Sequence, residues 1–414
     1  MKTVWIVNHY ATDPQETASG SRHFSLARGL VQRGWTVVLL AASTEHPSGR
    51  RRAGISGARA SDRVRDGVRF RFLRTPQYDG GLGRLRNMAA FTAALLRRSN
   101  VADLPRPDVV IGSTVHPLAA WSASVLARRA GVPFVFEIRD LWPQTLIDMG
   151  KLSPRSPLSW LLRRLERALC DRADAVITLL PFASEYLVAQ GVPEEKVVWI
   201  SNGTDADDFD GAPPPGGDAF VFMYLGSVGR ANGLSAIVEG FLSAAAVEPR
   251  LRLDIIGTGA ELPAIRQRAA ESAHGHRIMF EPPVPKDRVP VLVGRADAMV
   301  INILDLDVYR FGVSMNKIFD YAAAARPILA ASSARNNVVA EADAGIVVPA
   351  DDAEALGAAM VRMASPDTAD DRARWAANAR AHVIAHYDYR ALAEQLDGVL
   401  DRCVTLTRKG GEHR

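Results

Sequence analysis

The sequence predicts an α/β fold of two Rossmann-like, doubly wound domains that face one another across a central cleft. Three observations carry this. Short apolar runs alternate with helical patterns along all 414 residues. Most of the runs are near-continuous Val, Ile, Leu and Phe, as in strands buried on both faces of a parallel sheet. One stretch, "GTDADDFDGAPPPGGD" at 203–218, breaks the alternation with Pro, Gly and Asp and reads as a linker.

In the first half the expected strands are "TVWIVN" (3–8), "TVVLLAAS" (36–43), "RFRFLRTP" (69–76), "DVVIGST" (108–114), "PFVFEIRD" (133–140), "DAVITLL" (174–180) and "KVVWISN" (196–202). Helices such as "SRHFSLARGLVQRG" (21–34), ended by Gly34, lie between them. The second half continues with "AFVFMYLGS" (219–227), "LRLDIIG" (251–257), "RIMFEPP" (277–283), "DAMVINIL" (297–304), "PILAAS" (327–332) and "GIVVP" (345–349). The expected domains are 1–205 and 206–385. A helical segment at 386–414 is expected to pack back across the junction.

A chain of this length, 48% hydrophobic, is too long for one core and suits two. Two cysteines, Cys170 and Cys403, exclude a disulfide scaffold and a cysteine-rich metal site. No apolar run approaches the ~20 residues that span a bilayer. "MKTVWIVNHYATDP" reads as a first strand and not as an export signal, so a cytoplasmic protein is expected. Charge is asymmetric: residues 1–200 hold 28 Lys+Arg against 17 Asp+Glu, a net of +11, and the remainder 22 against 29, a net of −7. The first half is therefore expected to meet something anionic. No aromatic-basic platform or nucleic-acid motif is visible, and a membrane surface or phosphorylated lipid fits at least as well as nucleic acid.

In doubly wound sheets ligands collect where strands end and helices begin. "GSTVHPLAA" (112–120) puts His116 just past a strand, and "FEIRDLWPQ" (136–144) puts Glu137 and Arg139 on one face with Asp140 beyond; the alternatives are a structural histidine, a Glu137–Arg139 pair and a capping Asp140. "LGSVGRANGLSAIVEGF" (225–241) is a strand, a Gly-rich turn and a helix. Its Gly226, Gly229 and Gly233 either permit close approach to a phosphate that Arg230 can contact or merely turn the chain. In "YRFGVSMNKIFDYAAAARPIL" (309–329), Ser314 reads as an N-cap, which places Lys317 in a first helical turn. A cation there is opposed by the helix dipole, unless an anion sits between amides and ammonium. The alternatives are a lysine that snorkels to water or pairs with Asp320. "IIGTGAEL" (255–262) has Leu262 where a dinucleotide fingerprint needs its third glycine, and no P-loop or H-E-x-x-H is present.

Together "SGSRHFSLARGLVQRGWTVVLLAAS", "FEIRDLWPQTLIDMGKLS", "WISNGTD" and "GVSMNKIFDYAAAARP" resemble glycosyltransferase family 4, the retaining GT-B enzymes. The likeness is closest to a bacterial branch that builds O-antigen and capsule sugars, including N-acetylfucosamine transferases. The resemblance implies a nucleoside diphosphate sugar as donor and a lipid-linked or saccharide acceptor. It places Ser19, Gly20, Ser21 and Arg22 near the donor diphosphate, His116 at the transferred sugar and Asp320 at the ribose hydroxyls. Pro283 and Val284 fall in the loop that reads the base, and Lys317 faces phosphate. Ser314 and Asn316 join the donor side, with Glu137, Arg139 and Asp140 toward the acceptor. His116, Lys317 and Arg230 would be the catalytic residues.

The sequence also departs from the family. Gly312 stands where the first glutamate of the E-x7-E motif is expected, and Ser227 and Asn232 replace an arginine and a lysine. Phosphate neutralisation then falls to Lys317 and Arg230, with no metal or other cofactor expected. Family practice implies front-face attack, with the leaving phosphate taking the acceptor proton. Rival readings are a transferase acting on a soluble metabolite, a sugar-nucleotide epimerase and a catalytically silent partner subunit.

Overall fold

The computed structural model describes residues 1–13, 22–55, 58–211 and 216–412. Both halves are α/β and built on mainly parallel sheets, the fold class expected above. The chain divides into two compact units, Met1–Ser201 with Tyr389–Arg414, and Asn202–Asp388.

The first unit holds β1 (Thr3–Val7), β2 (Thr36–Ala42), β3 (Ala60–Arg65), β4 (Val68–Leu73), β5 (Val109–Ser113), β6 (Phe134–Ile138), β7 (Ala175–Thr178) and β8 (Val197–Trp199). Their order in the sheet is β3-β4-β2-β1-β5-β6-β7-β8. Every neighbouring pair is parallel except β3 with β4. Strand β3 was not expected from the sequence. It is a polar edge strand joined to β4 by Asp66 and Gly67, both at positive φ, which is the two-residue turn that closes a tight hairpin. Arg71 fastens this edge, donating to Asp62 and Asp103 and to the Asn100 carbonyl.

The second unit holds β9 (Phe220–Leu225), β10 (Leu251–Ile256), β11 (Ile278–Glu281), β12 (Ala298–Ile303), β13 (Ile328–Ser332) and β14 (Gly345–Val348). They are all parallel, in the order β11-β10-β9-β12-β13-β14. In each sheet the winding direction reverses beside the first strand, at β1/β5 and at β9/β12. Such switch points leave a crevice at the strand C-termini.

The last helix, Tyr389–Glu412, belongs to the first unit: Leu392, Ala393, Leu396, Val399 and Leu400 share a buried core with Leu26, Ala27 and Leu30 of helix Arg22–Gln32. The helices meet at Gly29, where an added Cβ would come within 2.4 Å of the Ala393 Cβ. Trp35 Nε1 donates to Asp397 at 2.7 Å nearby. Among the described residues no helix is long and apolar enough to cross a membrane. The Gly29 contact yields a prediction. Gly29→Val should overpack this seam and destabilise the protein by ~1–3 kcal/mol, read as a lower denaturation midpoint in urea. An unchanged midpoint would mean that the seam can open at no cost.

Candidate functional site

Both switch points carry buried polar groups, and each set can be built up from its strand ends. In the first unit β1 runs into Asn8 and His9. The Asn8 amide is oriented by its oxygen, which accepts from the Tyr10 N–H at 2.9 Å, so its Nδ2 donates to His23 Nδ1 at 2.8 Å. His23 is thereby left with its proton on Nε2, which donates to Glu137 Oε2 at 2.5 Å. Arg22 Nε donates to the other carboxylate oxygen at 3.0 Å, and its two terminal nitrogens donate to the Ile200 and Ser201 carbonyls. All three side chains are buried. Burial alone would raise the Glu137 carboxyl, but His23 and Arg22 hold it well below the usual range.

His9 starts a second chain. Asn87 Nδ2 donates to Thr44 Oγ1 and to the Pro76 carbonyl, so its oxygen faces His9 Nε2 at 2.7 Å and accepts from it. His9 Nδ1 then has no proton and accepts from His116 Nε2 at 2.7 Å. His116 Nδ1 in turn accepts from the Ala119 N–H at 3.3 Å, capping helix Pro117–Ala130. Each ring is therefore neutral in a single tautomer. Burial, with His116 nearby, pushes His9 down to about 2, and burial pushes His116 down to about 4.

These networks redistribute the expected residues. Arg22, expected near a diphosphate, spends its guanidinium on Glu137 and two carbonyls, because its helix starts beside the end of β6. Glu137 is committed in the same way and pairs with neither Arg139 nor Asp140. The Arg139 backbone N–H donates to Thr114 Oγ1, and its side chain is half-buried with Nε unpartnered, while Asp140 is exposed. His116 has both ring nitrogens engaged within the protein. Ser19, Gly20 and Ser21 lie outside the described residues.

In the second unit β9 ends at Leu225 and the chain turns through Gly226. Gly226 has φ 152°, and a Cβ there would sit 3.2 Å from both Lys317 Cε and Nζ. Lys317 lies in the first turn of helix Asn316–Ala323. Its ammonium donates to the Tyr224 hydroxyl at 2.7 Å and to Asn232 Oδ1 at 2.6 Å, and lies 4.5 Å from the centre of the Tyr224 ring. The Tyr224 hydroxyl gives its own proton to the Ser227 carbonyl at 2.7 Å. Asn232 Nδ2 reaches Ser227 Oγ at 3.3 Å. Among the described residues no carboxylate pairs with Lys317, and burial lowers its ammonium to about 8.

Neither alternative reading of Lys317 fits this geometry. It does not snorkel, and it does not pair with Asp320, whose oxygens accept from Thr204 Oγ1 at 2.8 Å and from Lys286 Nζ at 2.5 Å. Ser314 is not the helix cap. Met315 occupies that position without a side-chain bond, and Ser314 Oγ accepts instead from the Asn202 N–H at 3.0 Å. The exposed Asn316 opens the helix. Lys286 follows Pro283, which is exposed, and Val284, which is half-buried, so the loop after β11 is tied to Asp320. Arg230 is exposed on the turn Arg230–Asn232, just past Gly229. Gly233 caps the next helix, Leu234–Val247, at φ 49°. Its carbonyl accepts from the buried Asn302 at 2.8 Å, which fixes this helix start against β12.

His9, Asn87, Tyr224, Thr204 and Lys286 were missed in the sequence. Thr204 and Lys286 stand in "SNGTD" and "PPVPKDR", both at strand ends, and that position was the available signal. Among the described residues no three His, Cys, Asp or Glu side chains are grouped to hold a metal ion.

Residues 19–203 match the family described as Glycosyl transferase 4-like domain, and residues 219–365 match Glycosyl transferases group 1. The chain is 26% identical over 264 residues to a probable glycosyltransferase, WbjE, of Pseudomonas aeruginosa, a match spanning 60% of this chain and 62% of that protein. Sucrose-phosphate synthase from Thermosynechococcus elongatus superposes with a TM-score of 0.72 at 18% identity, over 97% of this chain and 99% of that one. Anabaena HepE in complex with UDP and glucose superposes with a TM-score of 0.67 at 12% identity, over 97% and 100%.

The two neutral imidazoles give a testable pH dependence. Their folded pKa values lie below the ordinary 6.5, so the unfolded chain takes up protons first as pH falls, and stability drops below pH 6.5. Each contributes a slope of ~1.4 kcal/mol per pH unit, ending near pH 4 for His116 and near pH 2 for His9. His9→Gln should make the fall between pH 6.5 and 4.5 shallower by about one proton in urea titrations. Parallel curves for both proteins would refute the neutral pair.

Proposed function

We propose that this chain, a glycosyltransferase of the GT-B type, moves a sugar from a nucleoside diphosphate to an acceptor hydroxyl with retention of anomeric configuration. The observation that carries the reading is Lys317: a half-buried ammonium that no carboxylate pairs with among the described residues, at a helix start and against Gly226. As the donor bond breaks, negative charge builds on the diphosphate oxygens, and a fixed cation with helix-end amides stabilises it. Arg230 is the second cation, from solvent, so the reaction needs no metal. Asp320 takes the ribose once Lys286 or Thr204 yields. His116 orders, through the helix that it caps, the loop that the family resemblance assigns to the transferred sugar.

The donor is UDP-linked, a choice supported by HepE structures that hold UDP and UDP-glucose. Gly312 in place of an acidic residue leaves room for an N-acetylated amino sugar. The acceptor is a lipid-linked or saccharide intermediate of surface polysaccharide such as O-antigen, a reading supported only by the resemblance of the sequence motifs to family 4 and its O-antigen branch. Two predictions test the donor half. Among nucleotide sugars, UDP-linked ones should raise the melting temperature most, since a ligand at 100 times its Kd adds ~2.7 kcal/mol. Lys317→Ala should lower kcat/KM ~10²-fold or more; unchanged kinetics would return Lys317 to a structural role.

The protein would work at the inner membrane face. Helix Pro157–Arg172 buries Ser159, Glu166, Leu169 and Cys170 but leaves Trp160 61% and Leu161 55% exposed, with Arg164 over the Trp160 ring. Leu82 and Leu85 of helix Gly80–Leu96 are likewise exposed, with Arg84 and Arg86 between and beyond them. Exposed apolar residues interleaved with arginines suit an anionic lipid surface, each basic residue adding ~1 kcal/mol. The protein should float with anionic vesicles at low salt and be released at high salt. If it stays in the soluble fraction at low salt, a soluble acceptor is the better reading.

A further inference from the structure

Among the described residues Lys317 donates to neutral acceptors only, and their number matters. An unprotonated lysine amine has two N–H donors, and Tyr224 and Asn232 supply two acceptors. Neither acceptor can turn away. The Tyr224 hydroxyl has committed its proton to Ser227, so its free lone pair faces Lys317, and the Asn232 amide is oriented by Ser227 Oγ. The third N–H exists only in the ammonium, and no described residue accepts it. The cradle thus accepts both N–H groups of the neutral amine and leaves the third N–H of the ammonium for an acceptor that the protein does not supply among the described residues.

Resting on the donor site proposed above, we infer that Tyr224 and Asn232 are positioning residues that hold Lys317 ready to gain a proton, so that a nucleoside diphosphate binds together with that proton. The anionic oxygen accepts the third N–H and supplies the missing negative charge. No bond is made or broken in this step; the proton comes from solvent and leaves when the diphosphate leaves. The charged and titratable groups around Lys317 fit this account. Tyr224 is pushed upward by burial and stays neutral, as is Tyr321 on the helix of Lys317. Asp320 on that helix is turned to Thr204 and Lys286, and Arg230 is exposed on the turn that carries Asn232. A group near 8 in the free protein is mostly neutral at pH 8.5. Binding there should take up about three-quarters of a proton, and affinity should fall about tenfold per pH unit above 8.

Isothermal calorimetry tests this at pH 8.5 in two buffers of different ionisation enthalpy, with the tightest binder among UDP, GDP, ADP and dTDP. The wild type should show the uptake. Lys317→Arg stays charged at every pH and should bind the diphosphate with almost none. Asn232→Asp keeps the shape but places a carboxylate beside Lys317, so the lysine is already charged; uptake should vanish and affinity should drop. Binding without uptake, or the same uptake in Lys317→Arg, overturns the inference and leaves the donor site standing. If none of the four diphosphates binds the wild type, the donor site falls and the inference falls with it.

Discussion

Taking an ammonium out of water costs several kcal/mol unless an opposite charge sits beside it, and Lys317 has none among the described residues. Much of the second unit is arranged around that cost. Gly226 lets the backbone pass within reach of the side chain, Tyr224 places a ring face and a lone pair beneath it, and Asn232 adds a carbonyl. Asp320, the nearest carboxylate in sequence, is drawn off by Thr204 and Lys286. A lysine kept free of internal ion pairs in this way is left for a partner from outside the fold. The positions 227 and 232 that lack their own charge are the ones that seat the lysine of another helix.

The first unit meets the same constraint differently. Its switch point is also lined with buried polar groups, but every one named in the two chains is satisfied from within. The Asn8, His23, Glu137 and Arg22 chain ends on the carbonyls of Ile200 and Ser201, and the Asn87, His9 and His116 chain ends on a helix amide. A fully satisfied buried network rigidifies its surroundings. Rigid loops at the end of β1 and β5 are what a site needs if bound groups are to be held in one geometry.

How much of this could be read from the sequence depended on range. Thirteen of the fourteen strands were legible because buried parallel strands are continuous apolar runs. Strand β3 was not, because "ASDRVR" is a polar edge; the Asp66-Gly67 turn was its signal and was passed over. Lys317 stood out because its helix position is unfavourable, which is a local property. Its partners lie 93 and 85 residues away and leave no local trace. For the same reason Arg22 and Glu137, 115 residues apart, were read as separate contacts to ligands and not as partners of each other. Ser314 misled for the opposite reason: its sequence suits a cap, but a tertiary bond to Asn202 outcompetes the local one.

The second unit begins and ends at one place. Thr204 bridges Asp388, its N–H donates to the Tyr387 carbonyl, and Asp388 also accepts from the Ala206 N–H. The first unit, by contrast, is made of two pieces of chain separated by 187 residues of the other unit, Asn202–Asp388. On the ribosome the second unit is therefore whole before the first one is. The apolar faces of Leu26, Ala27 and Leu30 must wait for Leu392, Ala393 and Leu396 to be synthesised. During that interval the nascent protein carries an unfilled seam, and a chaperone that shields apolar surface has its natural point of action there.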